Sequence, residues 1–465
     1  VLPFLHKATF FAPHGEIALI FNTKVLTNTR GTYKNFREWL FNQCYVEKVF
    51  NFSILRKAKK NFGGQLFGDA TGPISIVFYK NHQPDNRNDT IVYYAPKTWV
   101  RSNVIEGLSI DSTDIKYIPR EECQKPDTKI WKVAMWGGMN DWNLIKKLNN
   151  SKFQTVENFI VDNNIKSGVG FQLLTQKKDT PKYSETLTSL DYLDAECVNK
   201  YFTPNEKLNS VRNAIKTSKA INFYKEFYNV NNITEIEQLT AFRRLGDIDA
   251  YINPHIILKK GLENNSVCAS FIENQCSFRD GVYGFYTNES KIDELYKLLS
   301  FFNSKFSTYY LFMTISSYGI EREQIMKNEY LSIPFSLNDE QGLKIIEATK
   351  ELLIKMKSKS FLNNDFEEQE LKNFINENID STILNGFNFE EYEKVLVSDA
   401  ILYNLDLFHN QEKSKAILPA TEKQPEEYAQ IISSELNEFL EGQNVFANAT
   451  VYNLKGLKSS PLMMI

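Results

Sequence analysis

Apolar positions recur along this chain with periods that change from stretch to stretch. Glu16-Ile17-Ala18-Leu19-Ile20-Phe21 is almost continuously apolar, the pattern of a strand buried on both faces. Tyr33 to Asn42 carries Phe36, Trp39 and Leu40 at helical spacing, and Val46 to Phe52 alternates like a strand. Ile74 to Tyr79 and Thr90 to Tyr94 read as two more strands joined by a polar turn, His82 to Asp89. Strand, helix, strand and then a hairpin predict the second half of a doubly wound sheet with an antiparallel edge. Further on, Leu295, Leu298, Leu299, Phe302, Phe306, Tyr309, Tyr310 and Phe312 follow three and four spacing. They predict one helix over Leu295–Met313 with Phe301-Phe302-Asn303-Ser304-Lys305 inside it. A small polar turn at Ser316-Ser317-Tyr318-Gly319 follows, then a short polar helix carrying Arg322 and an apolar strand closed by Pro334. From about residue 341 the pattern is helical, with Ile345, Ile346, Ala348, Leu352, Leu353 and Met356 on one face. Phe389 to Phe408 and Glu426 to Leu440 are two further amphipathic helices.

These elements predict an α/β protein: a partial doubly wound sheet over 1–97, a linker over 98–128, an α+β domain over 129–340 and a helical acidic region over 341–465. The 98–128 stretch reads as a linker because it is polar and carries several carboxylates. At 465 residues the chain is long enough for two to four domains and a sizeable core. Net charge sharpens this division. Residues 1–250 hold 34 Lys and Arg against 26 Asp and Glu, 251–340 hold 8 against 11, and 341–465 hold 12 against 20. The acidic excess therefore sits mainly in the tail, and the body before it sums to +5, which permits a basic groove. No run approaches the eighteen apolar residues of a membrane span, and neither a secretory nor a twin-arginine signal is present. Five scattered cysteines form no CxxC pair and lie near no histidine in a zinc spacing, as expected of a reduced, cytoplasmic protein. A chain that opens at Val1 and passes at once into patterned sequence reads as part of a longer protein.

Two runs carry a resemblance. The first is Phe4-Leu5…Lys7-Ala8, Gly15-Glu16-Ile17-Ala18-Leu19-Ile20, Phe36-Arg37-Glu38-Trp39-Leu40, Val46-Glu47-Lys48-Val49-Phe50-Asn51-Phe52, Leu66-Phe67…Ala70 and Pro73-Ile74-Ser75-Ile76-Val77-Phe78-Tyr79. The second is Asn303-Ser304-Lys305, Tyr309-Tyr310, Ser316-Ser317-Tyr318-Gly319, Arg322, Ile325, Leu331 and Ile333-Pro334. The first resembles the part of adenine-specific amino-methyltransferases that follows their Asn-Pro-Pro-Tyr loop. The second resembles the end of the target-recognition domain fused to such enzymes, and of type I specificity subunits. Between them, Trp131-Lys132-Val133-Ala134-Met135-Trp136-Gly137-Gly138, Gly168 to Phe171 and Tyr251 to Gly261 fall in the order that resemblance implies. It implies a partial methyltransferase sheet, a target-recognition domain and a helical C-terminal region. It also implies a bacterial DNA adenine-N6 methyltransferase of the restriction–modification or phage-defence kind, using S-adenosylmethionine and acting on double-stranded DNA. This chain would supply DNA recognition and the base-stacking side. An upstream methyltransferase or nuclease portion, or a partner subunit, would supply the rest. The alternative is a non-catalytic specificity subunit working with a separate methyltransferase.

The resemblance places Phe67 where the family stacks an aromatic ring on an adenine flipped from the duplex; an ordinary core aromatic is the other reading. Arg56, Lys57, Lys59 and Lys60 form a basic loop ahead of it, either neutralising phosphates or simply solvated. Lys132, Lys166, Arg243, Arg244, Lys259, Lys260 and Arg322 are candidate DNA contacts at the loop tips of the recognition domain. Arg322 could pair with a guanine or a phosphate, or with Glu321 or Glu323 beside it. Ser316, Ser317 and Tyr318 can donate to phosphate, and Gly319 lets a backbone approach. The sequence departs from the family in two places. No glycine-rich turn opens a strand–helix unit, Gly168-Val169-Gly170 lacking the third glycine. The only Asn-Pro, Asn253-Pro254, continues into His255 and Ile256 and belongs to a strand opening. Cofactor-binding and catalytic groups are therefore expected outside this chain.

Overall fold

The computed structural model describes residues 2–29, 31–54, 72–85, 89–101, 106–110, 112–150, 152–211, 220–232, 240–252, 254–320, 324–358, 365–418, 421, 423–452 and 462–464. Packing groups Val1–Leu405 into one compact unit and Asp406–Ile465 into a second.

The first sheet is built from β1 (Glu16–Asn22), β2 (Tyr45–Asn51), β3 (Ile74–Lys80), β4 (Thr90–Tyr94) and β5 (Ile115–Pro119), in the order β1-β3-β2-β4-β5. A helix, α1 (Gly31–Gln43), connects β1 to β2. β3 is antiparallel to both of its neighbours, so β1 and β2 point the same way. β4 is parallel to β2 and antiparallel to β5. This is the strand–helix–strand unit that the sequence predicts, with two differences. The expected hairpin of β3 and β4 is not made, because β2 lies between them, and the antiparallel strand β3 sits between β1 and β2 instead of at an edge. Its seven residues pair with all seven of β1, from Glu16 opposite Lys80 to Asn22 opposite Ile74.

One face of this sheet is dry. Val46, Val49, Val77, Ile91 and Tyr93 are buried there, along with Leu40 and Phe41 of α1. The other face carries half-buried aromatic rings, Phe50 stacked on Tyr94 at 4.3 Å and edge-on to Phe78. β1 is consequently not buried on both faces as its apolar run implies. Ile17 and Phe21 are buried, while Ile20 is 47% exposed.

Residues 98–128, expected to be a linker, supply β5 and a run of structured turns. Their charges looked solvated but are largely paired. Lys97 Nζ meets Asp114 Oδ1 at 3.0 Å with both side chains nearly buried. Arg120 is fully buried and makes a two-pronged contact with the Asp89 carboxylate, while its Nη1 donates to the Val46 carbonyl at 2.8 Å.

Next in the chain, α2 (Ile130–Trp136) has all seven residues buried, and α3 (Met139–Leu148) follows it after Gly137-Gly138. Trp131 stacks on Phe41 at 5.2 Å and meets Tyr93 edge-on, which fixes α2 against the first sheet. A second five-stranded sheet contains β6 (Lys166–Val169), β7 (Tyr201–Phe202), β8 (His255–Glu263), β9 (Ser266–Ile272) and β10 (Val282–Tyr286), in the order β7-β9-β8-β10-β6. Its long hairpin β8–β9 starts directly after Pro254.

The helix predicted over Leu295–Met313 is two helices, α4 (Ile292–Asn303) and α5 (Lys305–Thr314). The break is chemical. Asn303 turns its amide onto β9, accepting from Ala269 N and donating to Ala269 O, each at 2.9 Å, as a neighbouring strand would. Ser304 leaves the helical region and caps α5, its Oγ accepting from Ser307 N. Asp380 accepts a further bond from Lys305 N at that cap. Pro334 opens the last short strand instead of closing it, pairing with Thr155. The helix α6 (Asp339–Ser358) then packs on α4, with Thr349 and Ser300 hydroxyls 2.7 Å apart in the contact.

The second unit is described by itself. Its helix Lys423–Phe439 is tied to the following chain by Asn437, which exchanges two hydrogen bonds with Ala447.

Replacing Arg120 by alanine leaves the Val46 carbonyl and the Asp89 carboxylate without their cation. The expected loss is about 3–5 kcal/mol in urea denaturation of the whole chain, since breaking a buried pair costs far more than removing a surface one.

Candidate nucleic-acid interface

In open α/β sheets, ligands settle outside the carboxyl ends of the parallel strands. Here those ends are Asn22 of β1 and Asn51 of β2, and beneath them lies a buried chain of polar groups. Thr23 Oγ1 meets Ser75 Oγ at 2.8 Å and accepts from Ser53 Oγ at 2.9 Å. Ser53 also bonds the Asn51 amide oxygen, and Asn51 Nδ2 donates to the Tyr93 hydroxyl at 2.6 Å. All these donors and acceptors are satisfied within the protein, so the network holds this end of the sheet in one arrangement.

Directly after β1, the short helix Lys24–Thr27 and residues Asn28 and Thr29 form one wall of a cleft of about 380 Å³. The facing wall comes from much later in the chain: Ser316, Ser317, Gln324, Asn328 and Glu329, with Lys129 at the side. The walls touch where Thr27 Oγ1 donates to the Ser316 carbonyl at 3.3 Å. Arg37, buried in α1, braces the first wall by donating to Leu26 O at 2.6 Å and Pro126 O at 2.8 Å.

The second wall is bolted to the second sheet. Ile325 N donates to the Lys260 carbonyl and the Tyr330 hydroxyl to the Lys259 carbonyl at 2.8 Å. Tyr283, on β10, receives Lys327 N at 3.0 Å and donates to Ile325 O. The segment from Ile325 into the short helix Lys327–Leu331 is thus pinned to β8 and β10 by one backbone bond and two tyrosine hydroxyls.

The residues singled out in the sequence divide into three groups. Phe67, Arg56, Lys57, Lys59, Lys60 and Arg322 lie outside the described residues. So does Asn253. The described residues flanking Phe67 are Ile54, just past the end of β2, and Gly72, just before β3, where an added Cβ would lie 3.1 Å from Asn22 Nδ2. Both flanks are therefore at the cleft end of the first sheet.

A second group lies on the second sheet or on the two-stranded ribbon formed by Gln172–Leu173 and Phe242–Arg244. Lys166 and Arg244 are exposed, and Arg244 Nη2 lies 3.5 Å from the Gly170 carbonyl. Arg243 pairs with Asp179 and Lys259 with Glu263. Lys260 sits 4.9 Å above the Tyr283 ring; burial lowers its pKa, Asp280 opposes this, and Arg244 nearby adds to it. Lys260 is joined to the cleft through the Ile325 backbone, while Ser316 and Ser317 line the cleft itself.

The third group is interior. Lys132 is buried, donates to the Phe312 carbonyl near the carboxyl end of α5, and lies 4.6 Å from the Phe312 ring. Burial holds its pKa well below the ordinary 10.5. It is no loop-tip contact, because it occupies the one polar position in a helix that is apolar on every side. Tyr318 is also buried, edge-on to Phe312. Gly319, at φ +71°, lets the chain pass Trp136, Phe312 and Lys132, which an added Cβ would meet at 3.0, 3.1 and 3.3 Å.

Sequence reading missed Lys129 and Lys24, both on the cleft. Neither stands in a basic run, so only the fold brings them beside Ser316 and Ser317. As for S-adenosylmethionine, the described turns after β1 and β2 do not fit it. They are filled by the Thr23, Ser53 and Asn51 side chains, where a cofactor cradle needs bare backbone.

Two outcomes follow for the interior residues. Burial puts the folded-state pKa of Lys132 below its unfolded value, so stability should rise with pH between the two, up to about 10.5. Lys132→Met should flatten that slope in denaturant titrations at several pH values. Gly319→Val should cost about 2–4 kcal/mol, from left-handed strain and overpacking against Trp136 and Phe312, seen as a lowered melting temperature.

No family model and no curated protein sequence matches the chain. Among solved structures it is similar to the type IIG restriction endonuclease BpuSI, at 11% identity and a TM-score of 0.28, covering 80% of this chain and 47% of that one. It is also similar to the type IIL restriction-modification enzyme MmeI in complex with DNA, at 10% identity and a TM-score of 0.41, covering 86% of this chain and 52% of that one. The chain spans about half the length of each of these structural neighbours.

Proposed function

We propose that this chain is the DNA-reading and base-holding part of a site-specific DNA adenine-N6 methyltransferase of a restriction–modification or phage-defence system. The observation that carries the reading is the cleft at the carboxyl ends of β1 and β2, closed by the Ser316–Glu329 wall. A sheet end built for ligands and a segment resembling the close of a recognition domain meet at one place. The arrangement of the first sheet supports this over the specificity-subunit alternative. It is open, with β1 and β2 in one direction around an antiparallel β3, and not a closed barrel.

In this reading the chain's own residues orient DNA and exclude water, while Phe67 takes the face of a flipped adenine. Arg244, Lys260, Lys166 and the Arg56–Lys60 loop contact the backbone and base edges. S-adenosylmethionine supplies the methyl group, and the residues that bind it belong to a methyltransferase portion or subunit outside this chain. No step of methyl transfer is assigned to the residues present.

The expected result is that the isolated chain binds duplex DNA, with affinity falling linearly on a logarithmic salt scale, and transfers no methyl group from labelled S-adenosylmethionine. Absence of DNA binding at low salt would overturn the reading. Methyl transfer by this chain alone would overturn the division of labour.

A further inference from the structure

The cleft between Lys24–Thr29 and Ser316–Glu329 has a chemistry of its own. Its described lining is mainly polar and contains no aromatic ring; Ile315 and Met326 are its apolar members. A flipped base needs a π-face to replace its lost stacking, so this is not a base slot. The cleft is instead rich in donors. Lys129 is half-buried, and among the described residues its ammonium donates one hydrogen bond, a 3.4 Å contact with the Tyr310 hydroxyl, over whose ring it lies at 5.4 Å. Burial strips its ammonium of water and lowers its pKa, while Asp127 and Glu329 act to keep it charged. The Glu329 carboxylate is itself held, accepting from Met326 N at 2.7 Å. An ammonium with little water and one weak partner gains more from an anion than a solvated surface lysine does.

We propose that this cleft is a phosphodiester site, in which Lys129, with Lys24 and the Ser316 and Ser317 hydroxyls, holds one backbone phosphate of a DNA strand. The inference rests on the DNA-reading role proposed above and adds to it a residue. Lys129 would act by charge and position alone, reading no sequence.

The test uses the full chain and a short fluorescent duplex, with anisotropy titrations across a salt series. Lys129→Gln should weaken binding several-fold for unrelated sequences alike and reduce the magnitude of the salt slope by about one. Lys129→Arg should keep the slope. If the unaltered chain binds DNA and Lys129→Gln leaves both affinity and slope unchanged, the phosphate site is overturned and the DNA-reading role stands. If the unaltered chain does not bind, both fall. A fall in melting temperature of Lys129→Gln would not blur the result, because a structural role would weaken affinity without restoring the slope in Lys129→Arg. Loss of slope in both variants overturns the proposal.

Discussion

The first unit is held around long cationic side chains that run into its core and end on main-chain carbonyl oxygens. Arg37 joins Leu26 to Pro126, Arg120 joins Val46 to the Asp89 carboxylate, and Lys132 joins α2 to the end of α5. A buried charge is tolerated only where dipoles or counter-charges replace its water. Each such residue therefore demands that two distant backbone segments arrive together. Phe312 lies in the last turn of α5, where the helix dipole already favours a positive charge. Lys132 answers that dipole from inside the core and fixes α5 against α2.

The same principle explains which parts of the structure were legible in the sequence. Strand periods announced β1, β2, β3 and β4, and the stripe Phe36, Trp39, Leu40 announced α1, because burial on one face leaves a local trace. Asn303 and Ser304 left none that periodicity could register. The apolar spacing runs straight through them, and only the tertiary partner Ala269 turns the asparagine into a helix break. The polar run 98–128 misled for a related reason: Asp114 and Arg120 are spent on Lys97 and Asp89, and composition cannot distinguish paired charge from solvated charge. Lys132 could have been placed correctly. A single lysine in Trp-Lys-Val-Ala-Met-Trp, with apolar residues all around the helix, is a buried lysine by pattern. Lys129 could not, since its meaning comes from neighbours nearly two hundred positions away.

The candidate interface thus combines two kinds of residue. Lys260 and Lys166 stand on the second sheet and Arg244 on a two-stranded ribbon of its own, where a basic side chain can be read from its loop or strand end. Lys24, Lys129, Ser316 and Ser317 belong to a recess made only by the meeting of segments far apart in the chain. The bolting of Ile325, Lys327 and Tyr330 to β8 and Tyr283 gives that recess a stiff wall, so it is set by secondary structure and not by a free loop.

The bond from Thr27 to Ser316 spans 289 positions of the chain. Closing so long a loop is slow, and contacts of this separation form late. The first sheet draws all five strands from the first 119 residues and can pair long before Ser316 leaves the ribosome. Enclosure of the cleft therefore waits on Ser316, whereas pairing of the first sheet does not.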